Sequence, residues 1–136
     1  MTTPAGPTAS LRAFFGDKLA GRLNDLATFG EVVVRAHTSQ SGTNTKVTLT
    51  TKNAVSYSAA LPLGAAAQDG CIPLSAFRPD ALLPVPRPYP GLLPLQYQPT
   101  APPPLKLADA EVLQVTWEAG ATSIPSTLDI ESVSLR

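Results

Sequence analysis

His37 is the only histidine in the chain, so acid-base or metal chemistry here depends on which groups could gather around it. General acid-base and nucleophilic catalysis need titratable groups that converge in one place, and a zinc site ordinarily recruits more than one imidazole. A single histidine excludes a two-imidazole metal site. A nucleophilic arrangement can be written with His37 and Ser39, Ser41 or Ser75, yet none of these serines has the Gly-x-Ser-x-Gly context of a strand-to-helix elbow. The carboxylates Asp17, Asp25, Asp69, Asp80, Asp109, Glu111, Glu118, Asp129 and Glu131 are dispersed and mostly adjoin turns. In such places they are ordinary solvated charges, and Asp25 before "LATFG" suits a turn-organising role. Asp129 and Glu131 share one side of a strand and are weak metal candidates. A structural calcium would need several further oxygens beside them, so no cofactor is expected. Gly64 and Gly70 flank "AAAQD" without the lysine of a phosphate loop.

Sugar recognition asks for less chemistry: an exposed aromatic ring to stack on, and a few planar polar side chains nearby. The chain has four Phe, three Tyr and one Trp. Phe14, Phe15, Phe29 and Phe77 fit a core, and Tyr57 fits either face of its strand. Tyr89 and Tyr97, with Arg87, Gln96 and Gln98 close in sequence, are the more credible exposed rings. Trp117 shares a strand face with Leu113 and Val115, which favours burial over a ligand platform, but it stays a candidate contact.

The totals narrow the field. With 136 residues, one domain is expected. Ten basic and ten acidic residues leave no net charge to attract a polyanion, which argues against nucleic acid as a partner. Hydrophobic residues at 43% and charged residues at 15% describe a folded chain. Cys71 stands alone, so no intrachain disulfide or thiolate cluster can form, and it reads as a small core residue. The opening "MTTPAGPTASLRAFFGDKLAG" lacks a basic segment followed by a long apolar one, and no stretch is long and apolar enough for a membrane span. The expectation is a chain with no signal peptide, either cytoplasmic or a piece of a larger, exported protein.

The elements that would hold any site are mainly strands. Residues 1–10 read as a flexible lead-in to a single domain over 11–136. From Leu11 to Leu23 a helical stripe (Leu11, Phe14, Phe15, Leu19) competes with a strand alternation (Leu11, Ala13, Phe15), and Gly16 and Gly21 weaken the helix. "EVVVRAHT" and "KVTLTTK" read as two adjacent antiparallel strands joined by a turn around Gly42. "AVSYSAALPL" supplies a third strand with Val55, Tyr57 and Ala59 on one face. "CIPLSAF" supplies a short fourth, with Pro73 at an edge or an end. Between Pro79 and Pro104 lie ten prolines interleaved with leucines and tyrosines. So dense a run forbids helix and ladder, and its leucines suggest a loop lying against the domain as a lid or side wall. "EVLQVTWEA" and "LDIESVSLR" close the chain as strands expected to pair with each other and with an earlier strand. No internal repeat is evident. Short strands separated by turns point to an all-β, antiparallel β-sandwich with a long Pro-rich loop over 79–104.

The order of "NDLATFGEVVVRAHTSQSG", a strand pair, "CIPLSAFRP", "LADAEVLQVTWEAG" and "LDIESVSLR" resembles the galactose-binding-like jelly-roll domains. The likeness is to family 11 type carbohydrate-binding modules and to the domain of complex I intermediate-associated protein 30. The matching residues are Asp25, Leu26 and Phe29, then Ile72, Pro73, Ser75 and Phe77, and finally Ile130, Glu131, Val133 and Leu135. The resemblance runs from about residue 11 to the end. It implies a jelly roll, and structural calcium is common in such modules. Two departures stand out: the family's N-terminal strands are missing or compressed before residue 24, and the Pro-rich insert is long. The first would leave a sheet edge open for pairing with another chain or with a part N-terminal to this one.

The function expected on these grounds is a non-catalytic carbohydrate-binding or accessory module of the type attached to glycoside hydrolases, taking a polysaccharide or oligosaccharide. The alternative is a structural or protein-interaction β-sandwich that docks a partner chain or neighbouring domain.

Overall fold

Runs of β-branched residues build the strands of this chain, because a branched Cβ packs well on a pleated surface. The computed structural model of the chain describes residues 8–39, 44–80, 100–118 and 127–136. Strand β1 (Thr8–Phe14) leads through two short helices, α1 (Gly16–Leu19) and α2 (Leu23–Leu26), to β2 (Glu31–Thr38). There follow β3 (Asn44–Thr51), β4 (Ser56–Ala60), β5 (Gln68–Pro73), β6 (Arg78–Asp80), β7 (Ala110–Glu118) and β8 (Leu128–Leu135). They form two sheets, ordered β1-β7-β3-β4-β6 and β5-β2-β8. Every pairing among the described residues is antiparallel. The chain is an all-β sandwich.

Period-two alternation sorts each strand into a core side and an outer side. Val32, Val34 and Ala36 of β2 and Ile72 of β5 join Val47 and Leu49 of β3, Tyr57 and Ala59 of β4 and Val115 of β7 in one buried cluster. On β7 the faces divide as Leu113 and Val115 inward against the buried Gln114 and Thr116 outward. The outer face of the larger sheet is a ladder of small polar groups: Thr48 and Ser58 hydroxyls lie 2.7 Å apart, Thr50 and Ser56 3.0 Å apart, and Gln114 Nε2 donates to Thr116 Oγ1 at 3.1 Å. These hydroxyls satisfy one another, and a buried polar row needs that.

Several expectations are corrected. β2 and β3 do not form a hairpin. β2 is the central strand of the smaller sheet, flanked by β5 and β8, while β3 is hydrogen-bonded between β7 and β4, and Gly42 lies outside the described residues. β8 pairs with β2 and not with β7, because β7 already has β1 on one side and β3 on the other. The stretch from Leu11 resolves as strand, beginning at Thr8 within the expected lead-in, and only then turns helical at Gly16. Phe14 is 69% exposed, because its parity on the edge strand β1 is opposite to that of Leu11, Ala13 and Phe15. Cys71 is exposed too: it alternates with the buried Gly70 and Ile72 on edge strand β5, so it faces away from the core.

The Pro-rich segment is described only at its ends. Pro79 lies in β6, an edge strand, where a missing donor is harmless. At the other end the Tyr57 hydroxyl donates to the Pro103 carbonyl, tying residues just before β7 to the core face of β4. Burial, and then the negative charge of Asp109, raise the Tyr57 phenol above its ordinary 10.0. A raised folded value means that the favourable contribution is complete below that ordinary phenol value and is lost as pH rises through the folded value. Ultraviolet difference titration should show a tyrosine component that ionises above the ordinary phenol value. In the Tyr57→Phe variant that late component should be missing.

Close approaches fix two other positions. Gly70 faces Val34 on the core side of β5, and a Cβ there would overlap the Leu61 side chain and stand 3.4 Å from the Val34 carbonyl oxygen. Ala54, in the turn between β3 and β4, has φ of 60°, a left-handed conformation that L residues avoid. Its N–H donates to the Thr51 carbonyl at 2.9 Å, so the turn cannot relax without losing that bond. Ala54→Gly should raise stability by about 1 kcal/mol in denaturant titration, the relief of strain outweighing the extra freedom gained by the unfolded chain. A loss of stability would contradict the turn geometry.

Candidate functional site

Among the described residues the two sheets do not close on each other along one side. β1 ends the five-stranded sheet and β8 ends the three-stranded one, and between them lies an apolar cleft of about 430 Å³. Leu11, Ala13 and Phe15 form one wall and Ile130, Val133 and Leu135 the other. Leu49, Leu113 and Val115 make the floor, and Leu26 and Phe29, from the helical connection, stand at one end. Arg22 and Ser134 complete the lining.

Local sequence explains each wall. Odd-numbered residues of β1 face the cleft because Leu11 lies opposite Val115 and Ala13 opposite Leu113, both core-facing. β8 keeps its apolar residues inward through an irregularity. Leu135 and Val133 lie opposite Val32 and Val34, after which the register shifts, and Ile130 and Leu128 lie opposite Ala36 and Thr38. Glu131 is the extra residue, a β-bulge. Without it, Ile130 and Val133, three positions apart, could not share a face.

The large hydrophobic residues left exposed among the described residues are Leu11 at 60%, Phe14 at 69% and Val133 at 41%, and all three belong to β1 and β8. Leu11 and Val133 line the cleft, whereas Phe14 has the opposite parity on β1 and faces away from it. β8 also has one ladder partner, β2, so its other edge presents unpaired backbone donors and acceptors among the described residues.

The outer face of the smaller sheet gathers the charged groups expected in the sequence. Arg35 on β2 reaches Asp69 of β5, with Nη1 to Oδ1 at 3.1 Å, and Glu131 of β8, with Nε to Oε2 at 2.8 Å. The hydrogen bond to Asp69, then the bond to Glu131 and the attraction of both carboxylates, raise the guanidinium above its ordinary value. His37 Nε2 lies 3.2 Å from Asp129 Oδ2. Asp129 and Glu131 thus occupy the outer face as expected, but each faces a cationic or imidazole partner across the strand. No group of three or more His, Cys, Asp or Glu side chains suited to a metal occurs among the described residues. Asp25 organises its turn through its backbone carbonyl, which accepts from the Thr28 N–H at 3.0 Å and the Thr28 hydroxyl at 2.6 Å.

Of the candidate sugar contacts, Tyr89, Tyr97, Arg87 and Gln96 lie outside the described residues. Trp117 is half-buried on the same strand face as Leu113 and Val115, and its indole N–H is buried without a partner. The cleft lining contains no carboxylate, imidazole or thiol. Among the described residues no helix is long and apolar enough to cross a membrane.

The cleft wall on β1 was hidden in the sequence: Leu11 and Ala13 had to be recognised as strand before their facing could be read. No protein-family model, no curated protein and no solved structure matches the chain.

Proposed function

We propose that this chain is a protein-interaction β-sandwich, of the galactose-binding-like jelly-roll type, that takes up an extended segment of a partner along β8. The observation that carries this reading is the coincidence of a strand edge that is unpaired among the described residues with an apolar cleft beneath it. An added strand gains main-chain hydrogen bonds from an edge and specificity from pockets for alternate side chains. The fitting occupant alternates apolar and small polar residues, so that every second side chain drops between β1 and β8. On the outer face it meets Glu131, already paired with Arg35, and Asp129, whose Oδ2 lies 3.2 Å from His37 Nε2. Edge charges and bulges commonly discourage pairing. Here the charged bulge residue Glu131 is turned away from the cleft and bound to Arg35, and Val133 stays open.

The experiment is titration with a short fluorescent probe peptide alternating valine and threonine between terminal lysines, followed by anisotropy, with a scrambled peptide as control. Saturable binding of the alternating peptide alone supports strand uptake. Equal binding of the two peptides, or none, refutes it. The carbohydrate-binding reading rests on Tyr89 and Tyr97, and affinity electrophoresis against soluble plant and algal polysaccharides examines it separately. Retardation by one polymer class that disappears in Tyr89→Ala or Tyr97→Ala would favour that reading instead.

A further inference from the structure

The apolar pattern of β8 points to a particular occupant. With Glu131 as the bulge, the core-facing residues of β8 are Leu128, Ile130, Val133 and Leu135, and the outer ones are Asp129, Glu131, Ser132 and Ser134. This pattern is a palindrome about the bond between residues 131 and 132. Two copies of β8 run antiparallel about a two-fold axis there would set Leu128 opposite Leu135, Ile130 opposite Val133, Asp129 opposite Ser134 and Glu131 opposite Ser132. Opposite residues in an antiparallel pair lie on one face. All four juxtapositions match apolar with apolar or acid with hydroxyl, and no two carboxylates stand opposite each other. Arg35 accompanies each Glu131, so the two acids nearest the axis arrive already paired. The axis is perpendicular to the sheet, so the core faces of both copies lie on the same side and the exposed Leu11 and Val133 of each approach the partner's cleft.

We infer that the strand taken up by the β8 edge is β8 of a second copy of this chain, forming a closed two-fold dimer with a continuous six-stranded sheet β5-β2-β8-β8-β2-β5. This deepens the strand-accepting role proposed above and rests on it. A self-complementary, isologous patch closes at two copies and leaves no free β8 edge for further growth.

The test is directed disulfide capture in a Cys71→Ser background, which removes the exposed native thiol. Antiparallel pairing about the stated axis brings the two copies of residue 132 to about 6 Å between Cα atoms, within disulfide reach. Under oxidised glutathione, Ser132→Cys should give a covalent dimer at least about tenfold faster than Lys52→Cys, an exposed control on the turn between β3 and β4. Light scattering of the uncrosslinked chain should show a mass approaching twice 14.2 kDa as concentration rises. Equal capture rates together with a constant mass of 14.2 kDa would overturn the dimer. If the probe peptide still binds in that case, strand uptake stands and only the self-pairing fails. If neither occurs, both fail. Ser132 is an exposed outer residue of an edge strand, and retention of the Cys71→Ser unfolding midpoint shows that the captured species is folded.

Discussion

Val133→Lys is expected to weaken strand uptake at β8 by about tenfold to a hundredfold, equivalent to about 1.4–2.7 kcal/mol, while leaving the isolated fold nearly as stable as before. Val133 sits on the cleft wall and is 41% exposed, so in the free chain a lysine can lay its methylenes along Leu11 and carry its ammonium to water. Once a strand covers the cleft that route is closed, and the charge must be stripped of water without a carboxylate on the lining to receive it. The same substitution should abolish the concentration-dependent mass increase. Peptide anisotropy and light scattering, with thermal unfolding alongside, separate these effects. Unchanged binding from a folded variant would remove β8 from the interface.

Leu49→Ala should lower stability by about 2–3 kcal/mol, the largest loss expected from a single truncation near the site. Leu49 is 1% exposed, lies opposite Tyr57 and Leu113 on the two neighbouring strands, and forms part of the cleft floor. Truncation removes its contacts across the sandwich. The void joins an existing cleft instead of a sealed core, which places the loss in the lower half of the usual leucine range. For a chain of this length the thermal midpoint should fall by roughly 6–12 °C. A loss under about 0.5 kcal/mol in urea titration would mean that the sheets do not meet at Leu49.

The two substitutions show where sequence was sufficient. Val32, Val33 and Val34, the threonines around Val47 and Leu49, and the alternation of Leu113, Val115 and Trp117 identify strands without help, because facing follows from local periodicity. The parity that puts Trp117 on the strand face of Leu113 and Val115 was visible for the same reason. Partnership was not legible, since which strand lies beside which is set by packing across the whole domain. "EVVVRAHT" and "KVTLTTK" are neighbours in sequence yet belong to different sheets. The β8 bulge was hidden because Glu131 and Ser132 are both polar, so strict alternation and a one-residue shift look alike until the register against β2 is seen. Phe14 and Cys71 show the limit of residue type as a guide to burial: both are usually buried, and both alternate outward on edge strands.

Residue-resolved amide hydrogen exchange over 128–135, with and without the alternating probe peptide, tests the strand-accepting edge most directly. It is best done on dilute protein, where self-association is least. Outward-directed N–H groups of β8 that exchange freely alone should slow by at least about tenfold when the peptide is bound, while amides already bonded to β2 change little. Exchange along β8 that is unaltered at saturating peptide, or protection appearing only on other strands, would contradict it.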